Sequence, residues 1–549
     1  MNSNKFSTIK TGISLRCFPV FILLFLSACT KNFLEHNTDP GKATNEQLKY
    51  DNLGLGGFIT QMQTEIFPVL NNKENADVNN YQLIYSLMGD IYSGHQGTSN
   101  AFNNNGVNNS TYAMVPDWYG AAFANAYTNV MSPWFDIKGR SELSSPSTYA
   151  LAQIIKVMGM HRITDTYGPL PYLKFSKGSI STPYDAQEVI YNSFFEDLNV
   201  AIATLKDFVQ KNPGAKPLAK FDLIYGGDFV QWLKFANSLK LRLAMRIANV
   251  NPAKAQLAAE EAISAGVMLG NDDNALLKVN GVSTVNPLFT ITYAYNDTRM
   301  GANMESFLKG FKDPRIGLLF NKSALPAGSV EDYHGIRNGS RFSGRDYSSF
   351  STLNVKLNTP VQWMTAAEVY FLRAEAALRN WSAGGTAQAL YETGIKTAFS
   401  QNIGGDGKAA GDASTYINDG TSKPAAYADP KTPGNGVAAN SPNLSTITIK
   451  WNAGSSFNVN LERIITQKWI ALYPDGQEAW SEFRRTGFPK IFPVVNNLSN
   501  GLISSDKQIR RSPFPQNEYL NNSAAVSQGI SLLGGPDHGG TPLWWDKRP

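Results

Sequence analysis

Cysteine is almost missing from this sequence: Cys17 and Cys29 are the only two in 549 residues. A fold stapled by several disulfides is thereby excluded. Histidine is scarce as well. The five, His36, His95, His161, His334 and His538, never stand three or four residues apart, so no helix presents the paired imidazoles of a zinc hydrolase. An excess of one charge is also lacking. The 49 basic side chains face 44 acidic ones, and Lys5, Lys10 and Arg16 all fall in the first 28 residues, so the body is close to neutral and carries no electrostatic footprint for nucleic acid. No apolar run reaches the 18 or more residues of a membrane-spanning helix. Catalytic signatures are missing too. Gly339-Ser340-Arg341-Phe342-Ser343-Gly344 has its serines in the wrong places for a nucleophile elbow. Gly404-Gly405-Asp406-Gly407-Lys408-Ala409 lacks the hydroxyl after lysine that a phosphate loop needs. The pair Asp272-Asp273 reads as solvated loop acids, not as a glycosidase dyad. No catalytic residue, metal or cofactor is expected.

What is present begins with an address. Lys5, Lys10 and Arg16 precede an apolar run from Phe18 to Leu26, then Ser27, Ala28 and Cys29. As a helix that run rises only about 14 Å against a hydrocarbon core of about 30 Å, so it is an export signal and not a span. Leu26-Ser27-Ala28-Cys29 resembles a bacterial lipobox, with Cys29 as the acylated first residue of the mature chain. Once Cys17 leaves with the signal, Cys29 has no disulfide partner, and two or three acyl chains suffice for stable anchoring. The expected organisation is a signal over 1–28, a lipidated tether over 29–45 and a body over 46–549.

The chain as a whole is 42% hydrophobic, and its body reads as paired helices joined by long loops. Trp232, Phe235, Leu239 and Leu243 form one stripe, and Leu233, Leu241, Met245 and Ala248 another, so that helix is covered on two sides. Asn251-Pro252 turns the chain into a second helix running to Gly266. Thr365-Ala366-Ala367-Glu368 is a capping box opening a third helix, with Ala387 to Phe399 as its partner. A further helix carries Leu461, Ile464, Ile465 and Trp469, breaks at Pro474-Asp475-Gly476 and resumes through Trp480 to Gly487. Earlier stripes run through Leu151, Ile154, Ile155, Met158 and Ile163, and through Ile190, Phe194, Leu198, Ile202 and Leu205. The expected fold class is mostly α: tetratricopeptide-like helix pairs forming a right-handed scaffold, with long irregular loops and a few short strands.

Three segments escape the helical period: Gly89 to Asp117, Asn271 to Thr359 and Gln401 to Phe457. They are the candidate functional loops, although the last reads equally well as disordered. The first two are rich in rings and amides. Tyr92, His95, Phe102 and Tyr112 on one, and Tyr293, Tyr295, Asn296 and Arg299 on the other, are the candidate ligand residues. A sugar ring stacks its C–H face on an aromatic plane while amides and guanidinium groups take its hydroxyls, and a peptide uses the same set. Arg337, Arg341 and Arg345 between Tyr333 and Tyr347 offer a weaker candidate for an anionic group.

Four blocks then carry a resemblance: Leu151 to Pro171 (LAQIIKVMGMHRITDTYGPLP), Phe229 to Ala248 (FVQWLKFANSLKLRLAMRIA), Val369 to Trp381 (VYFLRAEAALRNW) and Ile464 to Pro489 (IITQKWIALYPDGQEAWSEFRRTGFP). With Arg511-Ser512-Pro513-Phe514-Pro515, Gly534-Gly535-Pro536-Asp537 and Trp544-Trp545-Asp546, they resemble the SusD/RagB family in order along nearly the whole chain. The resemblance implies one SusD-like domain over 46–549 in a cell-surface outer-membrane lipoprotein of Bacteroidetes-type bacteria. It also implies capture of an oligosaccharide or oligopeptide for a SusC-like TonB-dependent transporter, without catalysis. None of the family's ligand residues lies in the matched blocks. The alternative is a tetratricopeptide-like scaffold binding another protein, and third comes a surface glycosidase or peptidase.

Overall fold

The computed structural model describes residues 53–70, 76–102, 105–176 and 181–548. The expected signal, Cys29, the tether, Asn103 and Asn104 lie outside the described residues. The chain divides into Met1–Gly54 and Leu55–Pro549, and the second unit holds everything that follows.

Four helix pairs make the frame. They are α1 (Pro146–Tyr167) with α2 (Gln187–Lys211), α3 (Phe229–Arg246) with α4 (Pro252–Ala265), α5 (Ala366–Leu378) with α6 (Ala387–Ser400), and α7 (Phe457–Leu472) with α8 (Gly476–Thr486). Local chemistry fixes where each begins and ends. The Asp228 carboxylate caps α3, accepting from the Val230 and Gln231 amides at 3.1 and 3.3 Å. Asn251 caps α4 with Pro252 at its first position, and the helix stops at Gly266, whose φ of 103° only glycine adopts without strain. Both α3 stripes are buried, with Leu233 alone at the edge. Five indoles, Trp232, Trp363, Trp469, Trp480 and Trp545, are almost wholly buried. At about 150–250 Å² each and 25 cal/mol per Å², every one contributes up to roughly 4–6 kcal/mol.

The expected capping box on α5 is only half made. Thr365 Oγ1 accepts from the Glu368 amide at 3.4 Å, but the Glu368 carboxylate turns inward to Arg242, at 2.8 Å from Nε and 2.6 Å from Nη2. That pair opens a buried ionic network tying the frame together. Arg246 of α3 meets Asp165 of α1 at 3.2 Å, and Glu478 and Glu482 of α8 at 2.6 and 2.8 Å. Arg485 of α8 holds Glu375 of α5 and Glu482, both at 2.6 Å, and Lys468 of α7 lies 3.2 Å from Glu482. Arg485 and its neighbour Arg484, in the last turn of α8, therefore bridge helices inside the molecule. Burial would raise the Glu478 carboxyl, but Arg246, Arg242 and Lys468 hold it down to about 2.

The strands are short: β1 (Gln96–Thr98), β2 (Ala275–Leu277), β3 (Thr298–Met300) and β4 (Val361–Met364). They form two antiparallel ladders, β1 with β3 and β2 with β4. The 401–457 segment is ordered, so the reading as disorder is corrected. Asp419 and Asp429 bind amides two and three residues ahead, and Tyr416, Ile417, Tyr427 and Val437 are buried. Such Asx turns carry no helical or strand period.

Candidate ligand surface

The two ring-bearing loops, separated by some 200 residues of sequence, are brought together by a ladder of three residue pairs. In it Gln96 faces Met300, Gly97 faces Arg299 and Thr98 faces Thr298. Thr298 Oγ1 donates to Gln96 Oε1 at 2.7 Å and reinforces the register. Past the ladder, the Ser99 amide donates to the Asp297 carbonyl at 3.0 Å. The buried Asp297 carboxylate then gathers three segments: it accepts from Gln82 Nε2 at 2.9 Å, Asn100 Nδ2 at 2.8 Å and Arg345 Nη2 at 3.2 Å. The third loop is further fixed by the Ala101 amide donating to the Gly344 carbonyl at 2.8 Å and by Arg345 Nε donating to the Tyr295 carbonyl at 3.1 Å. A small ring stack underlies that loop, with Tyr347 against Phe350 at 4.6 Å and Phe342 against Tyr347 at 4.5 Å.

The expected ligand residues separate into two groups. Tyr92, His95, Tyr112 and Arg299 face inward. Tyr92 packs 5.2 Å from Trp480 and donates its hydroxyl to Met114 Sδ, while Tyr112 lies beside it at 6.3 Å. His95 is fully buried: Nε2 donates to the Trp469 carbonyl at 2.9 Å, and burial lowers the ring's pKa to about 4, so it is neutral. Arg299 gives its N–H groups to the carbonyls of Ser348, Thr292 and Thr298 and to Asn296 Oδ1, and burial lowers it to about 10. These four build the surface from beneath.

Phe102, Tyr293, Tyr295 and Asn296 face outward. Phe102, with φ of 50°, sits edge-on to half-buried Trp118 at 5.1 Å. Tyr295 is half-buried, its hydroxyl donating to Asn79 Oδ1 at 2.9 Å, and burial followed by Asp297 raises its pKa. Tyr293, 42% exposed, points elsewhere: its hydroxyl donates to the Leu353 carbonyl at 2.7 Å and accepts from Asn321 at 3.1 Å. Tyr293 and Tyr295 are thus anchored to different segments. Among the arginines, Arg337 spends its donors on the carbonyls of Asn435, Gly436 and Pro493. Arg341 and Arg345 remain exposed. Asp272 and Asp273 form no dyad. Asp273 takes Lys234 Nζ at 2.6 Å and the Leu269 amide at 2.9 Å, which is structural work.

Asn79 and Gln82 were not foreseen. They lie where Ala76–Tyr81 passes into the π-helical Gln82–Gly89, whose wider turn blurs the 3.6-residue period. No group of three or more His, Cys, Asp or Glu side chains among the described residues is placed to hold a metal ion.

The model of the SusD-like family, described as Susd and RagB outer membrane lipoprotein, matches residues 35–546. The chain belongs to the SusD-like family. Its fold agrees: a chitin-binding SusD homologue from Flavobacterium johnsoniae is 41% identical, with a TM-score of 0.83 over 90% of this chain and 99% of that one. A SusD homologue from Bacteroides uniformis is 38% identical, with a TM-score of 0.80 over 91% and 99%. Another from Bacteroides thetaiotaomicron is 36% identical, with a TM-score of 0.81 over 90% and 99%. No curated protein sequence matches the chain. The SusD-like body has, among its described residues, no helix long and apolar enough to cross a membrane.

Proposed function

We propose that this SusD-like chain is exported by residues 1–28, anchored to the outer membrane through acylated Cys29, and displayed at the cell surface. There it captures an oligosaccharide and delivers it to a SusC-like TonB-dependent transporter, as a binding protein with no catalytic role. One observation carries the reading. Three loops distant in sequence are tied at Asp297 beneath a face that offers Phe102, Trp118 and Tyr295 beside Asn100, Asn296, Arg341 and Arg345. Half-exposed rings with amides and guanidinium groups at their edges suit the alternating C–H and hydroxyl faces of a sugar chain. Kinship with the chitin-binding homologue supports oligomers of an N-acetylated sugar as the ligand class. The rival scaffold reading finds less support, because the polar side chains between the helix pairs bond one another.

Calorimetry with chitooligosaccharides, other glycans and oligopeptides tests the ligand. Saturable heat with the N-acetylated oligomers is expected, and heat with peptides alone overturns the glycan reading. Cys29→Ala is expected to free the protein from the membrane fraction with its thermal transition unchanged. Detergent co-purification of a TonB-dependent barrel tests the partner, and a periplasmic protein recovered in its place favours the scaffold.

A further inference from the structure

The glycine-rich segment that fails as a phosphate loop has another task. Ile403 and Lys408 bridge each other, with N···O distances of 3.0 and 3.2 Å, so Gly404-Gly405-Asp406-Gly407 forms the tip of a tight hairpin. Gly404 and Gly407 take φ of 68° and 58°, and a methyl group on Gly404 would collide with the Leu318 carbonyl. The Gly405 amide donates to the Asn354 carbonyl at 2.7 Å, and Lys356 Nζ meets Asp406 Oδ1 at 2.9 Å across the outer edge. The hairpin therefore lies flat over the 353–360 loop, seated by backbone and fastened by one exposed ion pair.

Beneath it is a cavity of about 310 Å³. Leu276, Leu288, Leu319, Leu353, Val355 and Ile403 make its walls, and Tyr473 and Pro474, from the link between α7 and α8, contribute to the lining. The pocket is partly open to solvent, and an apolar cavity of roughly 150 Å³ suffices to bind benzene. Four of the five amides on the lining, Asn402 apart, are engaged with the protein itself: Asn286 Nδ2 donates to the Thr359 carbonyl at 3.0 Å, Asn354 Nδ2 to the Leu318 carbonyl at 3.1 Å, and Gln401 Nε2 to Gln362 Oε1 at 3.1 Å. A strongly polar guest would exchange water for a lining that is mostly apolar.

We infer that this cavity is a second binding site, distinct from the sugar-facing surface, for a small uncharged apolar molecule such as an aromatic ring or a short hydrocarbon. The hairpin is its cover and Lys356–Asp406 the fastening. The Leu353 side chain lines the cavity while its carbonyl accepts the Tyr293 hydroxyl, so a guest bears on the segment that holds Tyr293.

Methyl-labelled NMR of the intact protein, titrated with benzene and with indole, tests the site. Saturable shifts confined to the methyls of Leu276, Leu288, Leu319, Leu353, Val355 and Ile403 are expected. Leu288→Trp, which fills the space, is expected to abolish them. Lys356→Ala, a change on the exposed edge, is expected to speed binding and release together and leave the dissociation constant nearly unchanged. Xenon-pressurised crystals give an independent readout, with density expected beneath the hairpin. Absence of saturable shifts in the wild-type protein, shifts that persist in Leu288→Trp, or equal displacement of the same methyls by N-acetylglucosamine would each overturn the inference. Chitooligosaccharide calorimetry on Leu288→Trp reads the outer surface separately, so failure of one site is distinguishable from failure of the other.

Discussion

The charged interior of the helix frame and the ring-bearing loop surface use polar chemistry in opposite ways. Inside, Arg246 is shared among Asp165, Glu478 and Glu482, and Arg485 between Glu375 and Glu482, so each guanidinium is spent on fixed carboxylates. On the surface Tyr295 uses its hydroxyl on Asn79 and keeps part of its ring exposed, and Arg345 is tethered to Asp297 yet stays in solvent. Burial among fixed ion pairs marks groups that hold the fold, and partial exposure marks groups with capacity left for a ligand. The boundary between the two runs through the β1–β3 ladder, where Arg299 faces inward and Tyr295 outward within four residues.

The largest effect separating the two regions is expected from Arg246→Ala. It takes one cation from each of three buried carboxylates, Asp165, Glu478 and Glu482, and is expected to cost about 3–5 kcal/mol of stability by urea unfolding. A loss below 1 kcal/mol would mean that the interior tolerates unpaired charge. Acid is the next probe. Glu478 is held at about 2, below its ordinary 4.5, so its contribution is complete above pH 4.5 and falls away as pH drops toward 2. Asp90 works in the other direction: burial first, then Asp475, raises it to about 8, and ionising it costs stability as pH rises from about 4 to 8. Asp90→Asn is therefore expected to flatten the decline in stability between about pH 4 and 8 while leaving the limb below pH 4 intact. On the loop surface, Tyr295→Ala is expected to weaken oligosaccharide binding by about 1–3 kcal/mol if stacking on the ring resembles that of bases, with the melting temperature unmoved. Tyr293→Ala tests whether the second ring belongs to the same subsite, and an unchanged affinity would confine the site to the Phe102–Tyr295 side. The smallest change is expected from Arg345→Ala: half-exposed and screened by water, its pair with Asp297 contributes at most about 1 kcal/mol to stability.

Much of the frame was legible in the sequence because apolar stripes report burial directly. The two stripes of α3, the Asn251-Pro252 turn and the stop at Gly487 are all found where periodicity and capping residues put them. The ionic network was hidden for the same reason. Arg242, Arg246 and Glu368 occupy the polar stripe, which periodicity assigns to water, and only the presence of two apolar stripes on one helix hinted that nothing between them is exposed. The surface was half legible. The two ring clusters were singled out together, but composition does not distinguish a tyrosine whose ring supports Trp480 from one that faces solvent, and that distinction removed Tyr92, His95 and Tyr112 from the outer face. Asn79 and Gln82 escaped because a π-helical stretch has no 3.6-residue signature.

Asp297 has a consequence for how such a protein diversifies. Because the Asp297 carboxylate ties Asn100 and Arg345 of two other loops to its own and to helical Gln82, the loop tips beyond it are expected to tolerate rewriting without disturbing their foundation. Transplanting the tips of a relative onto this root, with residues 82, 100, 297 and 345 retained, tests whether the tips set the choice of ligand.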